Sequence, residues 1–214
     1  DLVRSRGLGD VYKRQKYDNN ANLIWAKTMS GNGTGTGNLI SIDEKGDIYA
    51  VGTFSGTIQF ETQSMTAASV ENTDNFLVKY AADGSMVWAR SLKGSKLDDI
   101  NAMDVANHQV VIGGVIRSED LAVDNAPGIL MKTLDTTGTW NSMLIISFDT
   151  DGNYQWNYIA GSSNQPTDVK TIAIEKDGSI WNAGTTFGTY YFNPDAEDEA
   201  KQFPSKAKGG QDMY

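Results

Sequence analysis

His108 is the only histidine in a chain of 214 residues, and there is no cysteine. That composition removes every catalytic triad, relay or metal cluster that needs two imidazoles, along with disulfides, zinc–thiolate centres and thiol nucleophiles. Acid–base and metal chemistry is left to carboxylates. Asp149-Thr150-Asp151-Gly152-Asn153 has the spacing of the first half of a calcium loop, but the full loop needs a bidentate glutamate six positions after its glycine, where Tyr158 stands. The same slot reads as a hairpin turn, and the turn is the favoured reading. Asp195-Ala196-Glu197-Asp198-Glu199, between Pro194 and Pro204, could gather around a divalent cation, though a solvated charge run is the commoner use of such a stretch. Asp98, Asp99 and Asp168 precede runs that read as strands, where aspartate commonly accepts hydrogen bonds from local backbone N–H groups. A glycosidase pair would need two of these carboxyl groups about 5 or 6.5–9.5 Å apart, a separation that sequence does not supply. No residue is assigned a catalytic role, and no metal site or cofactor is expected.

The elements that would position these groups are strands. An aromatic residue stands eight positions before a tryptophan three times: Tyr17 with Trp25, Tyr80 with Trp88, and Phe148 with Trp156. Asp83-Gly84 and Asp151-Gly152 lie between the later pairs, with Asn20-Ala21 in the first. An Asp-Gly dipeptide between alternating apolar runs is a hairpin signal, because glycine supplies the positive φ of the turn without steric cost. A second pattern spans ISIDEKGDIYAVGTFSGTIQF at 40–60 and IAIEKDGSIWNAGTTFGTYYF at 172–192, which align without a gap at an offset of 132. Between Ile42 and Phe60 on one side and Ile174 and Phe192 on the other, 8 of 19 positions are identical, too many for coincidence. A diverged copy, MDVANHQVVIGGVI at 103–116, lies near the midpoint, with His108 where the turn glycine should be. The unit is therefore about 66 residues long, half of the 132-residue offset. Each unit reads as four strands rich in β-branched and aromatic residues, with no useful helical periodicity. The expected fold class is all-β, a β-propeller fragment of four-stranded antiparallel blades.

The units resemble the bacterial β-propeller repeat family often labelled SBBP, found in large secreted and surface proteins. GDIYAVGTFSGTIQF at 46–60, DNFLVKYAADGSMVWARSL at 74–92 and GGQDMY at 209–214 carry the resemblance, which extends from about Lys16 to Tyr214. Ser5 to Gln15, SRGLGDVYKRQ, instead resembles the in-frame translation of a sequencing adaptor, and nothing upstream of Lys16 matches any repeat. The expected organisation is then a non-native leader over 1–15, the end of a partial blade over 16–37, a blade over 38–92, a blade with an enlarged insertion over 93–161, and a truncated blade over 162–214. An open arc of that kind predicts marginal stability or association, because tandem repeats depend on neighbour interfaces.

Charge narrows the partners. The formal net charge is -9, and it becomes -11 without residues 1–15, so nucleic acid is not an expected partner. No apolar run reaches the roughly 20 residues of a membrane helix, and Val110–Ile116 is interrupted by Gly113 and Gly114. Trp25, Trp88, Trp156 and Trp181 hold fixed places in the repeat and are expected to pack between blades. Trp140 is different: it lies in the enlarged insertion beside Thr136, Thr137, Gly138 and Thr139, outside the repeat frame, and loops on a rigid scaffold carry recognition. It is the candidate binding residue. The family resemblance implies a non-enzymatic module of an extracellular or cell-surface protein, displaying loops to a protein or glycan partner and packing against the remaining blades. The alternative is part of a propeller hydrolase or lyase with carboxylates in the central channel.

Overall fold

The computed structural model describes residues 13–69, 71–135, 138–161, 165–187, 189–191, 204–206 and 212–213. Every regular element among them is a strand. In chain order these are β1 (Lys13–Tyr17), β2 (Leu23–Thr28), β3 (Ser30–Gly31), β4 (Gly35–Ile42), β5 (Ile48–Phe54), β6 (Thr57–Phe60) and β7 (Gln63–Thr66). There follow β8 (Asp74–Tyr80), β9 (Met86–Lys93), β10 (Asp99–Ala106), β11 (Gln109–Ile116), β12 (Leu121–Val123) and β13 (Leu130–Met131). The last are β14 (Ser142–Asp149), β15 (Tyr154–Ala160), β16 (Thr167–Ile174), β17 (Ile180–Thr186), β18 (Thr189–Tyr191), β19 (Pro204–Lys206) and β20 (Asp212–Met213). The all-β, antiparallel expectation holds.

Two sheets share one plan. Strands β4-β5-β8-β9 and β10-β11-β14-β15 each run as a four-stranded antiparallel meander. The irregularities recur as well. The register slips between Gly37 and Leu39, between Ile100 and Ala102, and between Val169 and Thr171, always in the first strand of a sheet. It slips again between Lys16 and Tyr17, Lys79 and Tyr80, and Ser147 and Phe148, always in the strand before the hairpin turn. Opposite the first kind of bulge the backbones approach closely: a Cβ on Gly52 would lie 2.0 Å from the Thr36 carbonyl oxygen, and one on Gly114 1.9 Å from that of Asp99. Glycine is required there by space.

The turns explain the hairpins. Asp149 accepts hydrogen bonds from the backbone N–H groups of Asp151 and Asn153 and from the Asn153 amide, and Asp18 makes the corresponding set with Asn20 and Asn22. Gly84 and Gly152 take φ of 86° and 80°, and Ala21 takes 62° in the first hairpin. Where the sequence lacks the expected glycine, β10 and β11 are joined instead by Asn107 and His108, with φ of 49° and 61°. Two consecutive positive values make the type I′ turn that suits the twist of a hairpin, and asparagine tolerates it best after glycine. The missing glycine therefore shortens the loop without disturbing the strands.

The sheets stack face to face. Tyr49, Val51, Leu77, Trp88 and Leu92 of one interdigitate with Val110, Ile112, Ile116, Leu144, Ile146 and Phe148 of the next in one buried cluster. A second cluster lies on the far face of the first meander, around Phe54, Phe76, Val78 and Tyr80, and a third joins Val111, Met143 and Ile145 to Val169 and Ile172. Main chain ties neighbours too. The hairpin β6-β7 pairs with β3, which continues β2 after one residue, and β12-β13 pairs with β9. The excursions between β5 and β8 and between β11 and β14 thus both reach back to the last strand of the preceding sheet or its continuation.

The expected leader falls largely on residues outside the described ones. At its end, Arg14 occupies in β1 the slot that Leu77 holds in β8, with its guanidinium 4.1 Å from the Tyr80 ring centroid and 5.5 Å from that of Phe60.

Candidate functional site

Tryptophan placement is the first test of the sequence reading. Trp88 is buried and lies over Gly152 of the next sheet, where a Cβ would come within 2.7 Å of the indole, while its Nε1 donates to the Thr150 carbonyl at 3.1 Å. Trp25 covers Gly84 in the same way. Trp156 and Trp181 depart from the expected packing: they are 39% and 63% exposed, because nothing among the described residues covers the face they occupy. Trp181 is nonetheless held in place, its Nε1 donating to Glu175 Oε1 at 2.7 Å.

A polar cleft of about 420 Å³ opens where the first strands of two successive sheets begin. Asp99 starts β10 and Asp168 lies one residue into β16, and the two occupy matching places in the register, opposite Val115 and Thr185 respectively. Arg117, just past the end of β11, donates from Nη1 to Asp99 Oδ2 at 2.9 Å and to the Leu97 carbonyl at 2.6 Å. Lys170 Nζ lies 2.5 Å from Asp168 Oδ2, and Asp168 Oδ1 accepts from the Thr185 N–H and hydroxyl. Asn101 and Asn141 complete the polar lining. Asn141 is fixed by donating its side-chain amide to the Thr167 carbonyl, and Thr167 Oγ1 in turn accepts the Met143 N–H.

The three aspartates singled out by sequence thus divide. Asp99 and Asp168 line the cleft as halves of ion pairs. Asp98 is buried behind it, accepting the N–H groups of Arg117 and Ser118 through Oδ1 and the Ser118 hydroxyl through Oδ2. Burial pushes the Asp98 carboxyl above the usual range, against the opposing pull of those hydrogen bonds. It holds the start of β10 to the end of β11.

Trp140 precedes Asn141 in the chain and is 39% exposed, and it is not among the residues that line the cleft. Its backbone N–H donates to Asp135 Oδ2 at 2.7 Å, and Asp135 is buried, so an acidic anchor shapes the loop from below. Leu134 N–H and Thr133 Oγ1 both meet Ser142 Oγ, which pins the loop to the first residue of β14. Thr136 and Thr137 lie outside the described residues, as does the stretch 195–199. His108 sits in its turn at the edge of a smaller recess of about 140 Å³ with Asp43 and Glu44. Asp43 is engaged by its own turn, accepting from Lys45 N–H, Asp47 N–H and the Tyr49 hydroxyl. Among the described residues no group of three or more histidine, cysteine, aspartate or glutamate side chains could hold a metal ion, and no helix is long and apolar enough to cross a membrane.

The cleft's two carboxylates pair with Arg117 and Lys170, and guanidinium, ammonium and amide groups line it. Donors of that kind can hydrogen-bond hydroxyl or carbonyl oxygens of a ligand. Sequence reasoning missed Arg117, Lys170 and Asn141. The period of two that places Lys170 on the same side of β16 as Asp168 was a usable signal; the pairing of Arg117 with Asp99 depends on the β10-β11 register and left none. No protein-family model matches the chain, and no curated protein matches it.

Proposed function

We propose that the chain is a β-propeller repeat module of an exported or cell-surface protein, non-enzymatic, whose loops at one end of the sheets bind a protein or glycan. The observation that carries the propeller reading is the repetition of one four-stranded meander with the same bulges, stacked through a tryptophan that covers the turn glycine of the next sheet. Four-stranded sheets stacked in succession around an axis are the propeller plan. The cleft's ion-paired and amide groups, and the exposed Trp140 outside the repeat frame, support recognition as the role. The test is Trp140→Ala on glycan and protein arrays with thermal melting alongside: binding falls at least tenfold while the melting temperature moves by less than about 2 °C, the range of a surface change. Unchanged binding removes Trp140 from the site. Small-angle scattering tests the architecture, since an arc of stacked sheets about a channel differs in its distance distribution from a flat sandwich.

The enzyme reading has one specific support: Asp99 and Asp168 hold equivalent positions on successive first strands, with Thr36 in the corresponding place of β4. Their ion pairs with Arg117 and Lys170 weigh against it.

A further inference from the structure

The strands β4, β10 and β16 each carry one residue more than the strand beside them can match. The register steps from Gly37↔Gly52 to Leu39↔Val51, from Ile100↔Gly114 to Ala102↔Gly113, and from Val169↔Gly184 to Thr171↔Ala183. The residues left over are Asn38, Asn101 and Lys170. Such a bulge breaks the alternation of the strand and re-aims a side chain, a device that recurs beside binding and active sites. A bulged residue has no directly opposed partner to restrict its type. All three are polar, while the flanking Ile100, Ala102 and Val169 are buried in the core.

Two of these bulges open on the same space. Asn101 and Lys170 are exposed, and both line the polar cleft of about 420 Å³, with Asp99 and Asp168 two residues earlier on the same strands. Further along, the two strands are tied together by Asp104 Oδ2, which accepts the Ile174 N–H at 2.7 Å. The volume falls in the range of small-molecule sites, about 300–1,000 Å³. Its lining carries both signs of charge equally, Asp99 and Asp168 against Arg117 and Lys170. A ligand with net charge of either sign meets like charge there, whereas a hydroxyl group, which donates and accepts, is matched by carboxylate, guanidinium, ammonium and amide alike. Phe187 adds an apolar ring to the lining, suited to the C–H face of a sugar. A protein partner is held chiefly by aromatic and arginine anchors in desolvated pockets, which a lining mainly of polar groups does not provide.

We infer that the cleft takes a neutral sugar unit and that the bulge residues read its hydroxyl groups, Asn101 through its amide and Lys170 through its ammonium, on a frame held by Asp99, Arg117 and Asp168. This rests on the binding role proposed above and not on the propeller plan. It also gives the repeat a variable position: the bulge keeps its place in each first strand while the side chain it presents changes.

The methyl glycosides of glucose, galactose, mannose and N-acetylglucosamine, titrated at millimolar concentration into the full chain and followed by saturation-transfer NMR, test the assignment. At least one is expected to bind. Asn101→Ala and Lys170→Gln each weaken that binding at least about fivefold, the effect of one lost hydrogen-bonding group. Thr171→Ala, exposed beside the bulge of β16 but outside the lining, leaves it unchanged. The melting temperature of each variant stays within about 2 °C of the parent chain. Failure of all four glycosides to bind overturns the sugar assignment, and binding that survives both bulge variants overturns the reading role of the bulges. Sugar binding that Trp140→Ala abolishes and the bulge variants spare removes the ligand from the cleft while the binding role stands. Glycan and protein arrays that yield no partner at all overturn the binding role itself.

Discussion

Gly152 shows how much one residue is asked to do. Its φ of 80° is a conformation that costs an L-residue about 1–2 kcal/mol. Its missing side chain also leaves the space into which the Trp88 indole packs. Gly152→Ala incurs both costs, so the expected loss is about 2–4 kcal/mol, measured by urea unfolding. The turn carboxylates act at the same scale. Hydrogen bonds from Asn22, Ser85 and Ser179 hold Asp18, Asp83 and Asp177 below the usual carboxylate range, and at Asp149 burial, which alone would raise the carboxyl, is outweighed by the hydrogen bonds from Asn153 and Asp151 and the charge of Arg90 together. A carboxyl with a lowered folded-state pKa contributes stability above its unfolded value of about 3.9, and that contribution is lost as pH falls through the folded value. Asp98 works in the opposite sense: its raised pKa makes its contribution complete below about 3.9 and lost as pH rises through the folded value. Through the four turn groups, stability is expected to fall as the pH drops below about 3.9. In urea titrations at successive pH values, Asp149→Asn flattens that decline. A slope equal to that of the parent chain would mean the Asp149 turn is not formed in solution.

At the scale of the element, the reach-back hairpin is the feature that sequence hid. The strand periods and Asp-Gly turns announced β8-β9 and β14-β15 because those signals are local and steric. The β12-β13 hairpin is short, and its pairing with β9 at Ala122↔Lys93 and Val123↔Leu92 joins residues about thirty apart. Asp124 fastens it, its Oδ2 accepting the Ser91 N–H at 3.0 Å and the Ser91 hydroxyl at 3.1 Å. Asp124→Ala removes both bonds and leaves a buried serine with two unmet donors, an expected loss of about 1–3 kcal/mol. Hydrogen exchange then rises at Ser91 and Leu92 while β10-β11 stays protected. Loss of protection throughout would place the whole stack in one cooperative unit. The candidate site divides by the same rule. The aspartates were legible by their type and Lys170 by its spacing from Asp168, whereas the pairing of Arg117 with Asp99 comes from strand register, a non-local property.

For the molecule as a whole, the stacking of sheets was foreshadowed by tryptophans at fixed intervals, and the exposure of Trp156 and Trp181 corrects that picture at one end. The hairpins that reach back from one sheet to the last strand of its neighbour add something side chains do not. Their bond to the neighbour is chiefly main chain, donor to carbonyl, and every amino acid but proline brings both groups. Adjacent units therefore recognise one another through a connector that is blind to most substitutions. Such units are interchangeable parts: their faces are free to drift, and their copies to multiply or be reordered, while the joint between them stays the same.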